Sequence, residues 1–170
     1  DQLGEPELRQ ALRDAEPMIR VHAIRLAEAA WLSQPSSALG DLLGELVDDP
    51  DPRVRLQLAL TFGAIDAPRR AEWLEAIARR DAADPWITIA VLSAAVDSAP
   101  ALSLKLLDDL PFATEPRHVP LLRQLLQLIG VRNRTEELRQ DGHALARFPM
   151  ASFNLQGGLI LSLDDGLRRA

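Results

Sequence analysis

Apolar residues recur every three or four positions along most of the chain, the spacing that places them on one face of an α-helix. Leu39, Leu42 and Leu46 form one such stripe, behind a serine that can cap the helix, Ser36 or Ser37. No segment alternates steadily between apolar and polar residues, so we expect no β-sheet. The stripes predict helices over residues 6–13, 37–47, 69–80, 101–109 and 135–146.

Five prolines repeat along the chain and predict a second set of helices between the first. Successive members are 35, 33, 31 and 33 residues apart, and each precedes a helical apolar pattern. Proline is well tolerated in the first turn of a helix, where its missing N–H would have no partner. A period of this length corresponds to one pair of helices. The five are Pro17, Pro52, Pro85, Pro116 and Pro149.

A short signature accompanies the first prolines. Two copies read Asp-x-x-Pro-x-aliphatic-Arg, namely Pro17, Ile19 and Arg20, then Pro52, Val54 and Arg55. The third copy keeps Pro85 and Ile87 but has Thr88 in place of arginine. The fourth and fifth copies diverge further, and the fourth can also be registered on Pro120.

A single helix pair cannot bury both of its apolar faces, so neighbouring pairs must stack. We therefore expect an all-α superhelix, a right-handed or gently curved solenoid of about five helical hairpins that forms one domain over residues 1–170. Because the chain begins at Asp1 without an initiator methionine, we expect it to be a segment of a longer protein. The proline period predicts repeats near residues 5–34, 36–65, 68–98, 100–130 and 135–165.

The signature around Pro17 and Pro52 resembles HEAT repeats, the armadillo-like α-solenoids. The run from Asp48 to Ala95 is similar to the HEAT region of bacterial membrane-bound-dehydrogenase-type cytochrome c proteins, of the planctomycete and verrucomicrobial kind. That resemblance implies an extracytoplasmic redox protein with haem c bound elsewhere in the parent chain. It places no catalytic or haem-binding residue in this segment.

Arg20 and Arg55 admit two interpretations. Repeated guanidinium groups can form a ladder for phosphate or carboxylate ligands. In HEAT-like repeats, however, an arginine at this position usually pairs with a nearby acidic residue, and Asp14 and Asp49 lie at matching offsets. We expect structural pairing.

A candidate interaction surface lies in the third repeat. Trp31 and Trp73 have small or aliphatic neighbours in sequence and are expected to pack, whereas Trp86 follows a proline at a helix start and is the best candidate for an exposed contact. Two arginine pairs fall on one predicted helix and can form a small basic patch. These are Arg69, Arg70, Arg79 and Arg80.

The composition excludes several kinds of functional site. The chain has no cysteine, which excludes thiolate metal sites and thiol nucleophiles within it, and its apolar runs are too short to span a membrane. Its three histidines, His22, His118 and His143, show no metal-ligand spacing. We expect no catalytic, metal or cofactor site here.

The sequence thus predicts a non-catalytic scaffold or protein-interaction module whose partners are proteins or flanking domains. An alternative is a stand-alone HEAT-like enzyme or ligand-binding protein resembling the bilin lyases, which needs a cavity lined by convergent polar groups. A nucleic-acid-binding HEAT-like protein is a further alternative, but the formal net charge of −6 disfavours it.

Overall fold

A computed structural model describes residues 5–170, and residues 1–4 of the predicted domain lie outside this part. The described residues form eleven α-helices and no β-strand. Two short 3-10 helices, Glu45–Asp48 and Met150–Ser152, accompany them. The α-helices are α1 (Glu5–Leu12), α2 (Pro17–Ser33), α3 (Ser37–Gly44), α4 (Pro52–Ala64), α5 (Arg70–Asp81), α6 (Pro85–Ala94), α7 (Ala99–Asp108), α8 (Leu110–Thr114), α9 (Val119–Arg132), α10 (Thr135–Ala146) and α11 (Phe153–Leu167).

Three of the five repeating prolines begin α-helices as the sequence predicts, whereas Pro116 and Pro149 lie three or four residues before α9 and α11. Proline lies in the first turn of α2, α4 and α6, and in two of these helices an aspartate caps the free amides beside it. Asp51 accepts a hydrogen bond from the Arg53 amide at 2.8 Å, and Asp84 accepts one from the Trp86 amide at 2.9 Å. Local chemistry therefore fixes where these helices start.

The helices pair and stack as an all-α solenoid, as predicted. Helices α2, α4 and α6 lie side by side, and α9 lies against α11; the preceding helix of each pair, α1, α3, α5, α7 and α10, packs on the same apolar core. Trp31 and Trp73 are buried as expected, and the indole of Trp73 stacks on Phe62 with ring centroids 5.0 Å apart. One continuous core thus joins successive repeats.

The fourth repeat departs from the others. A helix that the apolar pattern did not predict, α8, lies between α7 and α9. Helix α9 begins at Val119 with Pro120 in its first turn, so the register on Pro120 applies rather than that on Pro116. In the third repeat the two helices are joined by residues 82–84 and in the second by residues 45–51, which include the 3-10 helix, whereas α7 and α9 are joined by residues 109–118, which include α8.

Helices α9 and α11 cross at a very short distance. A Cβ atom on Gly130 of α9 would lie 2.3 Å from the carbonyl oxygen of Leu163, and one on Gly166 of α11 would lie 2.2 Å from that of Gln127. The two backbones therefore touch. Gly157 lies within α11, which continues beyond it to Leu167.

Candidate functional site

Arg20 is buried and uses all three of its guanidinium nitrogens within the protein. Its Nε and Nη2 donate to the two carboxylate oxygens of Asp49, at 2.7 and 2.8 Å. Its Nη1 donates to the main-chain carbonyls of Asp14 and Ala15 at 2.8 and 3.2 Å. The hydrogen bond from Arg20 to Asp49 raises the pKa of the guanidinium despite its burial.

Arg55 repeats this arrangement one unit further along. It donates from Nε and Nη2 to the carboxylate of Asp81, both at 2.6 Å, and from Nη1 to the main-chain carbonyl of Asp49. In the third repeat Thr88 replaces the arginine and its hydroxyl lies 3.5 Å from the carbonyl oxygen of Ala82.

These two pairs, Arg20–Asp49 and Arg55–Asp81, are hereafter called the clamps. Each clamp joins the second helix of one repeat to the end of the first helical segment of the next. The expected carboxylate partners, Asp14 and Asp49, are therefore wrong by one repeat, because each supplies a main-chain carbonyl to its own arginine instead. Each nitrogen of both buried guanidinium groups already donates within the protein, so the clamp arginines serve the structure rather than an anionic ligand.

The four arginines of the candidate basic patch are also engaged. Arg69 donates to Glu72 at 3.0 Å and lies over the ring of Trp73, 5.6 Å from its centroid. Arg70 donates to the carbonyl of Ile65 at 3.3 Å. The positive charge of this region is thus partly neutralised by neighbours.

On the same helix, Arg79 donates to Glu75 at 3.0 Å and to Asp109 at 2.7 Å, so it connects α5 to the residue before α8. Arg80 reaches back to Asp48, 3.4 Å from its main-chain oxygen and 3.8 Å from a carboxylate oxygen. Both side chains connect neighbouring repeats.

Trp86 is 71 % exposed at the start of α6. Ile89 and Val96 are also exposed, at 53 % and 46 %, and together with Ser93 they continue one stripe along and just beyond the same helix. The sequence analysis named Trp86 as a contact candidate but missed the rest of the stripe. The signal was the spacing of residues 86, 89, 93 and 96, which places all four on one side of a helix.

A groove of about 530 Å³ lies between α7 and α10, wide open to solvent. An ion pair between Asp108 and Arg147 crosses it, and His143 forms part of its wall. In residues 5–170 no group of three or more histidines and carboxylates is placed to hold a metal ion.

A buried carboxylate lies between the same two helices, α7 and α10. Asp141 of α10 is 1 % exposed, and its Oδ1 lies 2.7 Å from the hydroxyl of Ser103 on α7. The Ser103 hydroxyl also lies 2.9 Å from the carbonyl oxygen of Pro100, and Asp141 Oδ2 has no hydrogen-bond partner. Burial, opposed by the Ser103 hydrogen bond and aided by the charge of Glu137, raises the pKa of Asp141 from 3.8 to about 6.

A proton on Asp141 completes the hydrogen bonds of this site. The single hydroxyl proton of Ser103 can serve either Asp141 or Pro100 but not both. With a proton on Oδ1, Asp141 donates to Ser103 and Ser103 donates to Pro100, so both contacts are hydrogen bonds. Sequence reasoning missed this pair, although Asp141 lies between Leu138 and Leu145 at helical spacing, where an apolar residue is expected.

Comparison with known proteins agrees with the stacked helix pairs. A family model for HEAT repeats matches residues 5–95, more than half of the chain. The chain belongs to the HEAT-repeat family. No curated protein and no solved structure matches it.

HEAT repeats generally serve as scaffolds and protein-interaction modules, and the family is typically non-enzymatic. No helix among residues 5–170 of this HEAT array is long and apolar enough to cross a membrane. The matched region includes both clamps, the four arginines of the candidate basic patch and the exposed residues Trp86, Ile89 and Ser93 of α6.

Proposed function

We propose that this HEAT array is a rigid, non-catalytic scaffold that holds flanking domains at a fixed separation and offers its surface to partner proteins. The clamps carry the proposal. Each one is a bidentate arginine–aspartate pair with both side chains less than a tenth exposed, and each spans the junction between two repeats. Such a pair resists rotation of one repeat against the next because two parallel hydrogen bonds fix its orientation.

The arginines of α5 support a protein partner over a nucleic acid. Binding to a phosphate backbone needs cations that are free to replace counterions. Arg79 and Arg80 instead bridge to acidic residues of neighbouring repeats, and Arg69 is paired on its own helix.

The rigidity of the array can be measured directly, because a chain without cysteine accepts site-specific spin labels. Ser33 of α2 and Leu161 of α11 are both exposed and suit the substitutions Ser33→Cys and Leu161→Cys. We expect pulsed electron–electron double resonance to give one narrow distribution of distances between the two labels. The further substitution Arg55→Leu should broaden it. A broad or multimodal distribution in the labelled protein with intact clamps would contradict a spacer role.

We also propose, from the sequence resemblance, that the parent is an extracytoplasmic protein of the dehydrogenase or cytochrome c type, with haem c outside this segment. The run from Asp48 to Ala95 is what supports it. Sequencing the coding DNA on both sides should find a propeller-like repeat array upstream and a Cys-x-x-Cys-His motif downstream. An extended reading frame without either contradicts this parent and leaves the scaffold proposal standing.

A further inference from the structure

A polar pair lies in an otherwise apolar contact between α7 and α10. Among the buried residues of these two helices, Ser103 and Asp141 alone are polar. The others are Ala99, Leu102, Leu106, Leu107, Ala144 and Leu145. A buried polar pair weakens such a contact unless each of its polar atoms finds a partner.

The contact has one acceptor too many when Asp141 is ionised. Asp141 Oδ1 and the Pro100 carbonyl oxygen lie 2.7 and 2.9 Å from the Ser103 hydroxyl, which carries one hydrogen. Asp141 Oδ2 has no hydrogen-bond partner. A proton on Oδ1 supplies the missing donor, because Asp141 then donates to Ser103 while Ser103 donates to Pro100. A single proton therefore adds a hydrogen bond to the α7–α10 contact.

No ion pair offsets the charge of Asp141 in the described part of the chain. Lys105 of α7 pairs with Glu75, and Arg132 of α9 pairs with Glu137, which lies one turn before Asp141 and adds negative charge. The remaining titratable and charged groups of α7, α9, α10 and α11 contact other residues or solvent; they are Asp108, Arg123, Glu136, Arg139, His143, Asp164 and Asp165. The ionised carboxylate can therefore be stabilised only by water.

The groove between α7 and α10 brings water close to this pair. Two of the residues that line it, Leu104 and Gln140, directly adjoin Ser103 and Asp141 in sequence. The ion pair between Asp108 and Arg147 that crosses the groove has both side chains more than half exposed, so it contributes little resistance to opening. A small separation of the two helices therefore hydrates the carboxylate.

We propose that the contact between α7 and α10 is a proton-controlled joint. Protonated Asp141 holds the two helices together through Ser103, and loss of this proton as the pH rises lets water enter between them. Helix α10 then leaves α7 more often, while the clamps keep the first three repeats closed. The proposal rests on the proposed scaffold function and adds its regulation, because it makes one junction of the array respond to pH.

The size of the effect follows from the linkage between proton binding and opening. The pKa of Asp141 is about 6 in the closed joint, and we expect it to return to the ordinary 3.8 where water reaches the carboxylate. The closed form is thus favoured in acid. The equilibrium constant for opening should rise between pH 3.8 and pH 6 and then level off, about a hundredfold above its value in acid.

The test introduces one thiol into the cysteine-free chain. In Ala144→Cys the thiol lies on α10, at a position that is 1 % exposed and three residues after Asp141. Its rate of reaction with 4,4′-dithiodipyridine, which modifies thiols in acid and at neutral pH, measures how often the joint opens. The same rate in Ala144→Cys/Asp141→Asn at each pH corrects for the titration of the thiol.

We expect similar rates in the two proteins at pH 4. At pH 7.5 the double variant should react about a hundredfold more slowly, because its amide stays neutral and keeps the joint closed. The matched control is Ala59→Cys, another buried alanine, on α4 between the clamps. Adding Asp141→Asn should leave the rate of Ala59→Cys unchanged at both pH values.

Hydrogen exchange of the chain without any thiol gives a second readout, which does not depend on how Ala144→Cys folds. At pH 7.5 the amides of α10 should exchange more slowly in Asp141→Asn than in the parent chain, and those of α4 should exchange equally.

Three results overturn the proposal. They are a rate ratio between the Ala144→Cys proteins that does not change with pH, an equal effect of Asp141→Asn on Ala144→Cys and Ala59→Cys, which would make Asp141 a determinant of overall stability only, and equal exchange of the α10 amides at pH 7.5. A narrow spin-label distance distribution together with any of these leaves the scaffold function intact. A broad distribution defeats the scaffold function whatever the thiol rates are.

Discussion

Four charged residues are buried in the described part of the chain, and they fall into two kinds. Arg20, Asp49 and Arg55 belong to the clamps, where every charge meets an opposite charge in bidentate geometry. Asp141 meets only the hydroxyl of Ser103. Burial of a charge is costly unless it is paired, so the first kind stays ionised, whereas burial raises the pKa of Asp141 and keeps it neutral to a higher pH than a free aspartate.

At the clamps we predict a large loss of stability when one partner is removed. Arg55→Leu leaves the carboxylate of Asp81 without its partner in a site where it is 9 % exposed. The free energy of unfolding, measured by urea denaturation, should fall by about 3–5 kcal/mol. Arg53→Leu is the control, because Arg53 is 59 % exposed and pairs on the surface with Asp51; it should leave the urea midpoint almost unchanged.

The double variant Arg55→Leu/Asp81→Leu isolates the reason for that loss. It removes both charges and should recover most of the lost stability, because no buried charge is left alone. If Arg55→Leu proves as mild as Arg53→Leu, the clamp does not hold the repeats together.

We predict that the substitution Asp141→Asn raises the free energy of unfolding by an amount that depends on pH. The folded state binds the Asp141 proton more tightly than the unfolded chain, since its pKa is about 6 instead of 3.8. The resulting stability is fully present below pH 3.8 and is lost as the pH rises to about 6, a change of about 3 kcal/mol. Asp141→Asn stays neutral and can donate to Ser103, so it should be more stable than the parent chain at pH 7.5.

The measurement is urea denaturation of both proteins from pH 4 to pH 7.5. The difference in free energy of unfolding between Asp141→Asn and the parent chain should be near zero at pH 4 and should reach its full size above pH 6. Asp66→Asn, at a side chain that is 99 % exposed, should show no such trend. An advantage of the same size at every pH would show that Asp141 does not titrate in this range.

At the scale of elements, the spacing of apolar residues predicts which residues form helices. Close packing between helices decides which of those residues tolerate substitution. Helices α9 and α11 touch through their backbones at Gly130 and Gly166. Gly157 lies in the middle of α11 with open space around its Cα. Glycine in a helix is therefore required for contact at the first two positions and costs stability without a contact at the third.

We predict opposite effects for two glycine-to-alanine changes in this helix pair. Gly130→Ala forces α9 and α11 apart and should lower the free energy of unfolding by about 1–3 kcal/mol. Gly157→Ala should raise it by about 0.5–1 kcal/mol, because alanine loses less backbone entropy in a helix. Thermal unfolding followed by circular dichroism measures both. Equal effects of the two changes would mean that the helices do not cross at Gly130.

At the scale of the whole molecule, the clamps end at the junction between α6 and α7. They link the first three repeats, and the α9–α11 crossing links the last two. The apolar core continues between these two blocks, but the charged side chains that bridge them form partly exposed contacts, among them the ion pair of Lys105 with Glu75 at 2.5 Å and the donation from Arg132 to the Val96 carbonyl. Exposed ion pairs contribute little stability each.

Two cooperative units should therefore be visible in solution. We predict that amides of α1–α6 and amides of α7–α11 lose hydrogen-exchange protection at different urea concentrations, because repeat arrays unfold in blocks separated by their weakest junction. Native-state hydrogen exchange read by mass spectrometry measures this. One common urea dependence for all helices would show that the junction between α6 and α7 does not weaken the array.

Much of the architecture could be predicted from the sequence because its causes are local. The proline period and the apolar spacing predict paired helices, and the capping aspartates beside Pro52 and Pro85 mark where two of them start. The structural role of Arg20 and Arg55 also follows from their repeated position. Their carboxylate partners did not, since each is supplied by the following repeat, and the distance to that repeat depends on how the pairs stack.

The sequence by itself determined the helices, their pairing and the residues available to join repeats, since each depends on neighbours within a few positions. Only the tertiary structure decided which faces are covered. Ile89 remains exposed on α6, whereas packing of α10 on α7 buries Asp141. An apolar stripe in the sequence indicates that one face of a helix is apolar. Whether another helix covers that face depends on contacts between residues far apart in the chain.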